Sequence, residues 1–365
     1  MSPRNYLRYI LPDALFGTER TKEILHVNPT VEYVRKPVER VHISVYNYNE
    51  STLEVEQFDR VEDVYYCKDH GLISWINIDG IRKEDVEAVC AHFGIHPLLA
   101  EDILSCNQRP KMDEVEGVLY CLLNMLYFNK DESSVEQEQI SVVLGRNFVI
   151  TFQEDPDRDV FNPVRERLRM ANSKVRQRPA DYLCYSLLDL IVDNYFLVME
   201  RLGEKIEDLE EEVVRNATPI AMARITRLRK ELIVLKRNIL PVRDLVAAII
   251  RSESDLLDER TEKYFKDVYD HIVQAADLSE NYRDVMTSMQ DLYINNVNLK
   301  MNEVMKVMAI VTCLLAPATV IGGIFGMNFD VIPMLHNKWG FFISVGLMLF
   351  IPLFMVRIFR RRGWF

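Results

Sequence analysis

Stepping by three and four residues from Asp291 gives Asn295, Asn298, Asn302, Met305, Ala309, Thr312, Ala316, Thr319 and Gly323. These positions share one stripe of any helix that carries them. The stripe is polar at its start and small or hydroxylated further on. Lipid rejects Asn and Asp, whereas small residues permit close helix approach. The stripe alone therefore describes either a packing seam or the lining of a water path. A path would require several copies around an axis, because one chain with two spans cannot enclose it. Just beyond the stripe stands Gly326-Met327-Asn328. A ring of amide oxygens suits Mg2+, a small, hard cation that gives up its waters reluctantly. Neutral amides can bond that hydration shell without trapping the ion. The same tripeptide serves equally as a helix terminator, since Gly and Asn both tolerate left-handed backbone.

Nothing in the chain points to catalysis, and the expectation is a protein that is not an enzyme. It holds no Gly-x-x-x-x-Gly-Lys, no His-Glu-x-x-His and no Gly-x-Ser-x-Gly. A formal charge of −11 over 365 residues argues against a nucleic-acid partner, whose phosphates need a basic face. The charge is uneven: the closing RIFRRRGWF carries Arg357, Arg360, Arg361 and Arg362 and no acid. Cys67, Cys90, Cys106, Cys121, Cys184 and Cys313 show no framework spacing, which predicts free thiols in a reducing compartment. The opening MSPRNYLRYILPDALFG has neither the apolar core nor the cleavage site of a signal peptide.

Two stretches must hold the stripe in place. Val307–Met327 (21 residues) and Trp339–Val356 (18 residues) are free of charge. At about 1.5 Å per residue they reach roughly 27–31 Å, the thickness of a bilayer's hydrocarbon core. The bland alternative is a pair of buried core helices. The arginines after the second stretch assign that end to the cytoplasm. Two spans in the cell (inner) membrane then put both termini inside.

The remainder divides by pattern. Residues 1–179 form a mixed α/β cytosolic domain, with strands expected at VHISVYNY, LISWINID, VLYCLLNMLYF, QISVVLG and NFVITFQE. Helices are expected at KEDVEAVCAHFG and HPLLAEDIL, where Pro97 suits a first turn. Residues 180–258 read as a helical hairpin broken near NATP. Residues 259–327 read as one long stalk helix that becomes the first span at about 305. An extracytoplasmic loop (328–338), a second span (339–357) and a basic cytosolic tail (358–365) complete the chain. The fold class is α+β with long helices and a two-helix C-terminal transmembrane domain.

FGMN at the end of the first span, a short loop, a second span and a basic tail together resemble the CorA family of divalent-cation channels. WINIDG, HPLLAEDIL, QRPK, FKDVYDH and NEVMKVM support the likeness, which covers nearly the whole chain. The resemblance implies a funnel-shaped homopentamer whose first span lines the pore. It implies Mg2+ influx, with Co2+ or Ni2+ often accepted, and closure by intracellular Mg2+ bound between cytosolic domains. Gly326, Met327 and Asn328 would capture the hydrated ion. Asn302, Met305, Met308, Thr312 and Thr319 would line the pore, with the methionines as a constriction and Asp291 at the cytosolic mouth. Asp102 and Asp267 of neighbouring subunits would form the regulatory metal site, with Glu101, Asp189 and His271 as candidates for a second site.

Three positions depart from the family's usual residues. Phe325 stands where tyrosine is usual, Met334 where relatives often carry an acid, and Ala316 at a pore position that is bulkier in some relatives. The outer loop keeps Asp330. Two alternatives remain open at this stage: a related Zn2+ transporter with proton coupling, and a membrane-tethered metal sensor that conducts nothing.

Overall fold

A computed structural model describes residues 41–364 apart from 70, 107, 156–157, 329–331 and 335–336. The opening segment and Asp330, singled out above, lie outside these residues. The chain divides into two compact units: residues up to Val213 with Thr218–Gln290, and Val214–Ala217 with Asp291 onward.

The first unit is built on seven strands: β1 (His42–Tyr48), β2 (Leu53–Phe58), β3 (Ile73–Asp79), β4 (Lys111–Val115), β5 (Val118–Asn129), β6 (Ser134–Leu144) and β7 (Phe148–Gln153). Their order in the sheet is β2-β1-β3-β7-β6-β5-β4. All pairs are antiparallel except β3 with β7. A parallel pair needs a crossover, and α1 (Lys83–Phe93) and α2 (Pro97–Leu104) lie within it. One sheet face, with Ile43, Val45, Ile76, Ile78, Leu122, Val143, Ile150 and Phe152, packs with Val86, Val89 and Phe93 of α1 and Leu99 and Ile103 of α2. The other face carries Trp75, edge-on to Phe161 with ring centroids 5.9 Å apart. Phe161 precedes α3 (Asn162–Arg169). Burial on both faces explains why the inner strands read as near-continuous apolar runs.

α4 (Ala180–Arg215) and α5 (Pro219–Arg251) follow, two long helices separated by three residues. Thr218 caps α5 by accepting from the Ala221 amide at 3.1 Å, with Pro219 in the first turn. α4 ties itself to the sheet through Tyr195, whose hydroxyl donates to the Asn124 carbonyl at 2.6 Å. α5 does so through Asn238, which accepts from Asn124 Nδ2 at 2.8 Å and donates to Gln137 Oε1 at 3.1 Å. Asn124 and Asn238 are buried, so their bonds avoid the cost of an unpaired polar group.

α6 (Glu259–Phe325) is a single 67-residue helix whose first part belongs to the first unit and whose remainder belongs to the second. α7 (Gly340–Arg361) completes the second unit. It runs past the expected end of the second span, so Arg360 and Arg361 sit on its last turn instead of in a tail.

Among the described residues, three helices are long and apolar enough to cross a membrane: α4, α6 and α7. Their surroundings separate them. In the apolar window of α4, 67% is buried within the protein, against 6% for α6 and 0% for α7. The apolar face of α4 is satisfied by its own fold, whereas those of α6 and α7 require an outside partner.

Candidate metal centre and ion path

In the first unit, α4 and α6 bring three metal-ligating side chains together. One ligand atom each from Asp189, Asp193 and His271 lies within 4.8 Å of the others. Asp189 and Asp193 stand four residues apart on α4 and so share a helix face. His271 comes from α6, edge-on to Phe196 with ring centroids 6.4 Å apart. Burial, then the neighbouring Asp193 charge, raise the pKa of Asp189; a hydrogen bond from Tyr185 and the nearby His271 and Arg167 partly oppose this. The Tyr185 hydroxyl donates to Asp189 Oδ2 at 3.3 Å. His271 Nδ1 is buried with no hydrogen-bond partner. An uncompensated ring nitrogen beside two mutually repelling carboxylates fits a divalent cation, which supplies what each lacks.

Glu101 and Asp102 lie on α2, outside this group. Glu101 is exposed. Asp102 is mostly covered and accepts from Lys111 Nζ at 2.6 Å. Lys111 also reaches Asp113 Oδ2 at 3.0 Å, and the two hydrogen-bonded carboxylates raise its pKa against the opposing effect of burial. Asp267 is exposed on α6, near enough to Tyr185 to raise that phenol's pKa along with burial and Asp189. Asp193 escaped the sequence reading, although its spacing of four from Asp189 on a long helix was the signal that could have found it. Lys111 stands inside the quoted QRPK, but only folding reveals its partners.

In the second unit, Asp291, Asn302, Met305, Met308, Thr312, Ala316, Thr319 and Gly323 are all exposed. From Ala309 onward the shielded positions of α6 are Ile310, Leu314, Pro317, Ala318, Ile321 and Phe325. At about 100° per residue these two sets lie on nearly opposite sides of the helix. Phe325 borders an apolar cavity of about 300 Å³ with Phe341, Val345 and Met348 of α7, so α7 covers the shielded line at its Phe325 end. Thr312 Oγ1 donates to the Met308 carbonyl at 2.8 Å and Thr319 Oγ1 to Leu315 at 3.1 Å. Each hydroxyl thus spends its proton on its own helix and keeps its lone pairs outward.

The helix ends at Gly326, whose amide still donates to the Gly322 carbonyl at 2.9 Å. The left-handed terminator weighed above is absent: neither Gly326 nor Asn328 has a positive φ. Glycine is suited to position 326 for a different reason. A Cβ there would come within 3.1 Å of the Gly322 oxygen. Met327 and Asn328 are exposed.

The first unit carries a carboxylate–imidazole cluster that could hold a metal and the second an exposed apolar helix pair of membrane length, the features of a membrane protein that handles metal ions. Residues 71–361 match the family described as CorA-like Mg2+ transporter protein, and the chain belongs to that family. It is 39% identical over 336 residues, 92% of its length and 95% of the relative's, to the cobalt/magnesium transport protein CorA of Thermotoga maritima. The complete structure of the CorA magnesium transporter from Methanocaldococcus jannaschii superposes with a TM-score of 0.73 at 23% identity, covering 91% of this chain and 100% of that one. The cytoplasmic domain of ZntB from Vibrio parahaemolyticus shares the fold, with a TM-score of 0.53 at 17% identity over 70% of this chain and 98% of that one. Members of the family are membrane transporters and not enzymes.

Proposed function

We propose that the chain is one subunit of a homopentameric, funnel-shaped channel for passive influx of Mg2+, with Co2+ and Ni2+ as further substrates. The observation that carries this reading is the exposed stripe of α6. Its Asn, Thr, Ala and Gly residues lie opposite the shielded side of the helix, and they lead to Asn328. Copies arranged around an axis would turn these stripes toward one another. Outward lone pairs on Thr312 and Thr319 would then face a hydrated cation. Asn328 would bond the hydration shell at the outer entrance, and Met305 and Met308 would form an apolar constriction that closes by dewetting. Two spans with both termini in the cytoplasm follow from the arginines at the end of α7.

No energy source is needed beyond the membrane potential. A divalent cation gains about 4.6 kcal/mol per 100 mV on moving to a negative interior, twice the single-charge value. Closure would come from Mg2+ bound between cytosolic domains by Asp102 and the neighbouring subunit's Asp267, with Asp189, Asp193 and His271 in a second centre that Glu101 would join only from a neighbouring subunit. Bound cation converts carboxylate repulsion into a bridge and so favours the closed state.

The test is ion uptake by liposomes holding the purified protein, with Mg2+, Co2+ and Zn2+ compared. Asn328→Ala should lower Mg2+ uptake by about tenfold or more, a barrier of about 1.4 kcal/mol. Undiminished uptake would refute the entrance role. The imidazole in the Asp189 centre and the shared fold with ZntB favour a second reading, a Zn2+ transporter with proton coupling. Zn2+ flux that scales with an imposed pH gradient would establish it instead.

A further inference from the structure

The Asp102 carboxylate already holds a cation of its own. Lys111, first residue of β4, sets Nζ 2.6 Å from Asp102 Oδ2 and 3.0 Å from Asp113 Oδ2. The Asp102 side chain is 17% exposed, that of Lys111 37% and that of Asp113 41%. The pair is thus sheltered on the Asp102 side and open on the lysine side. Gln139, on β6, holds the main chain of Asp102. Its Nε2 donates to the Asp102 carbonyl at 3.2 Å, while its Oε1 is buried without a partner. That residue is 5% exposed, so water does not freely satisfy the oxygen. The Asp102 carboxylate is thus held from the backbone side and reachable past the lysine. An ammonium now takes the carboxylate's charge.

We propose that Lys111 is a tethered competitor for the Asp102 site: its ammonium occupies the carboxylate when divalent cations are scarce and is displaced onto Asp113 when one binds. This rests on the reading of Asp102 as a regulatory ligand. A divalent ion on Asp102 would sit a few ångströms from the ammonium, and two cations at that spacing repel strongly in a partly dry site. Both cannot hold the same oxygen. Asp113 gives the displaced ammonium a carboxylate to keep, so the exchange leaves no charge stranded. The competitor then sets the concentration at which the sensor fills, without itself touching the transported ion.

The test uses the full-length protein in detergent and follows protection from protease and rise in Tm as MgCl2 is added. Lys111→Met should lower the half-saturating Mg2+ concentration by about tenfold, within the usual range for coupled sites. Lys111→Arg, which keeps the charge, should leave it close to the wild-type value. Asp102→Asn should weaken the Mg2+ response in either background. A plain structural ion pair predicts the opposite: Lys111→Met would lower the metal-free Tm and leave the midpoint unmoved. An unmoved midpoint in Lys111→Met beside a weakened response in Asp102→Asn overturns the competitor alone. An unchanged response in Asp102→Asn overturns the regulatory reading of Asp102, and the competitor with it.

Discussion

Single side chains in the first unit are arranged at an energetic cost that a cation would remove. Two carboxylates at i and i+4 on one helix cost about 0.5 kcal/mol, and Asp189 pays more through burial. Replacing it by the neutral amide should therefore stabilise the metal-free protein slightly while abolishing the stabilisation that Co2+ or Mg2+ confers through this centre. The pH dependence follows from the raised pKa. A carboxyl that is harder to ionise when folded carries no penalty below its unfolded value, near 3.8. The penalty appears as pH rises through that value and is complete above the folded pKa. Thermal melts of Asp189→Asn and wild type in chelator should coincide near pH 3 and separate at pH 7, with the variant higher. Coincidence at both pH values would show that the charge costs the fold nothing. Asp189 and His271 were named together in the sequence by resemblance, and the fold brings them close. Asp193 and the Lys111 clasp were not, because both depend on which side chains the fold brings within a few ångströms.

At the scale of elements, the inner strands and the long helices follow from pattern, and the sheet's two edges do not. The strands absent from the sequence reading are β2 and β4, which are the two ends of the sheet order. Leu53–Phe58 is mostly exposed and carries two glutamates, and Lys111–Val115 carries three charges. Charged edges discourage pairing with other chains, and the same charges hide the strand from a hydrophobic pattern. α4 shows the converse. Its apolar window has membrane length, yet two-thirds of it is buried against the protein's own core. Turns are set more tightly than pattern can show. Gly145 joins β6 to β7, and its amide donates to the Phe148 carbonyl at 2.9 Å. A Cβ on Gly145 would fall 2.3 Å from the Phe148 ring, which is itself nearly buried. Gly145→Ala should cost about 1–3 kcal/mol in urea denaturation, the usual penalty of overpacking. Adding Phe148→Leu should recover much of that loss. Independent, additive costs for the two changes would show that the ring is not what forbids the side chain.

For the whole molecule, the central expectation is several copies of α6 around one axis. Native mass spectrometry of the detergent-solubilised protein should give a particle of five chains of 42.8 kDa. A stable particle of one or two chains would leave no enclosed path and sink the channel. Membrane-length segments, the exposed stripe, the Gly-Met-Asn terminus and the lack of catalytic motifs were decided by the sequence itself. They depend on local composition and helical period, which a linear reading preserves. Only the tertiary structure could decide which of three apolar helices is core, which acids meet His271, and that Asp102 is clasped by Lys111. Those outcomes depend on residues far apart in the chain, whose proximity is fixed by packing and by the desolvation of charge, and neither is written in any local stretch.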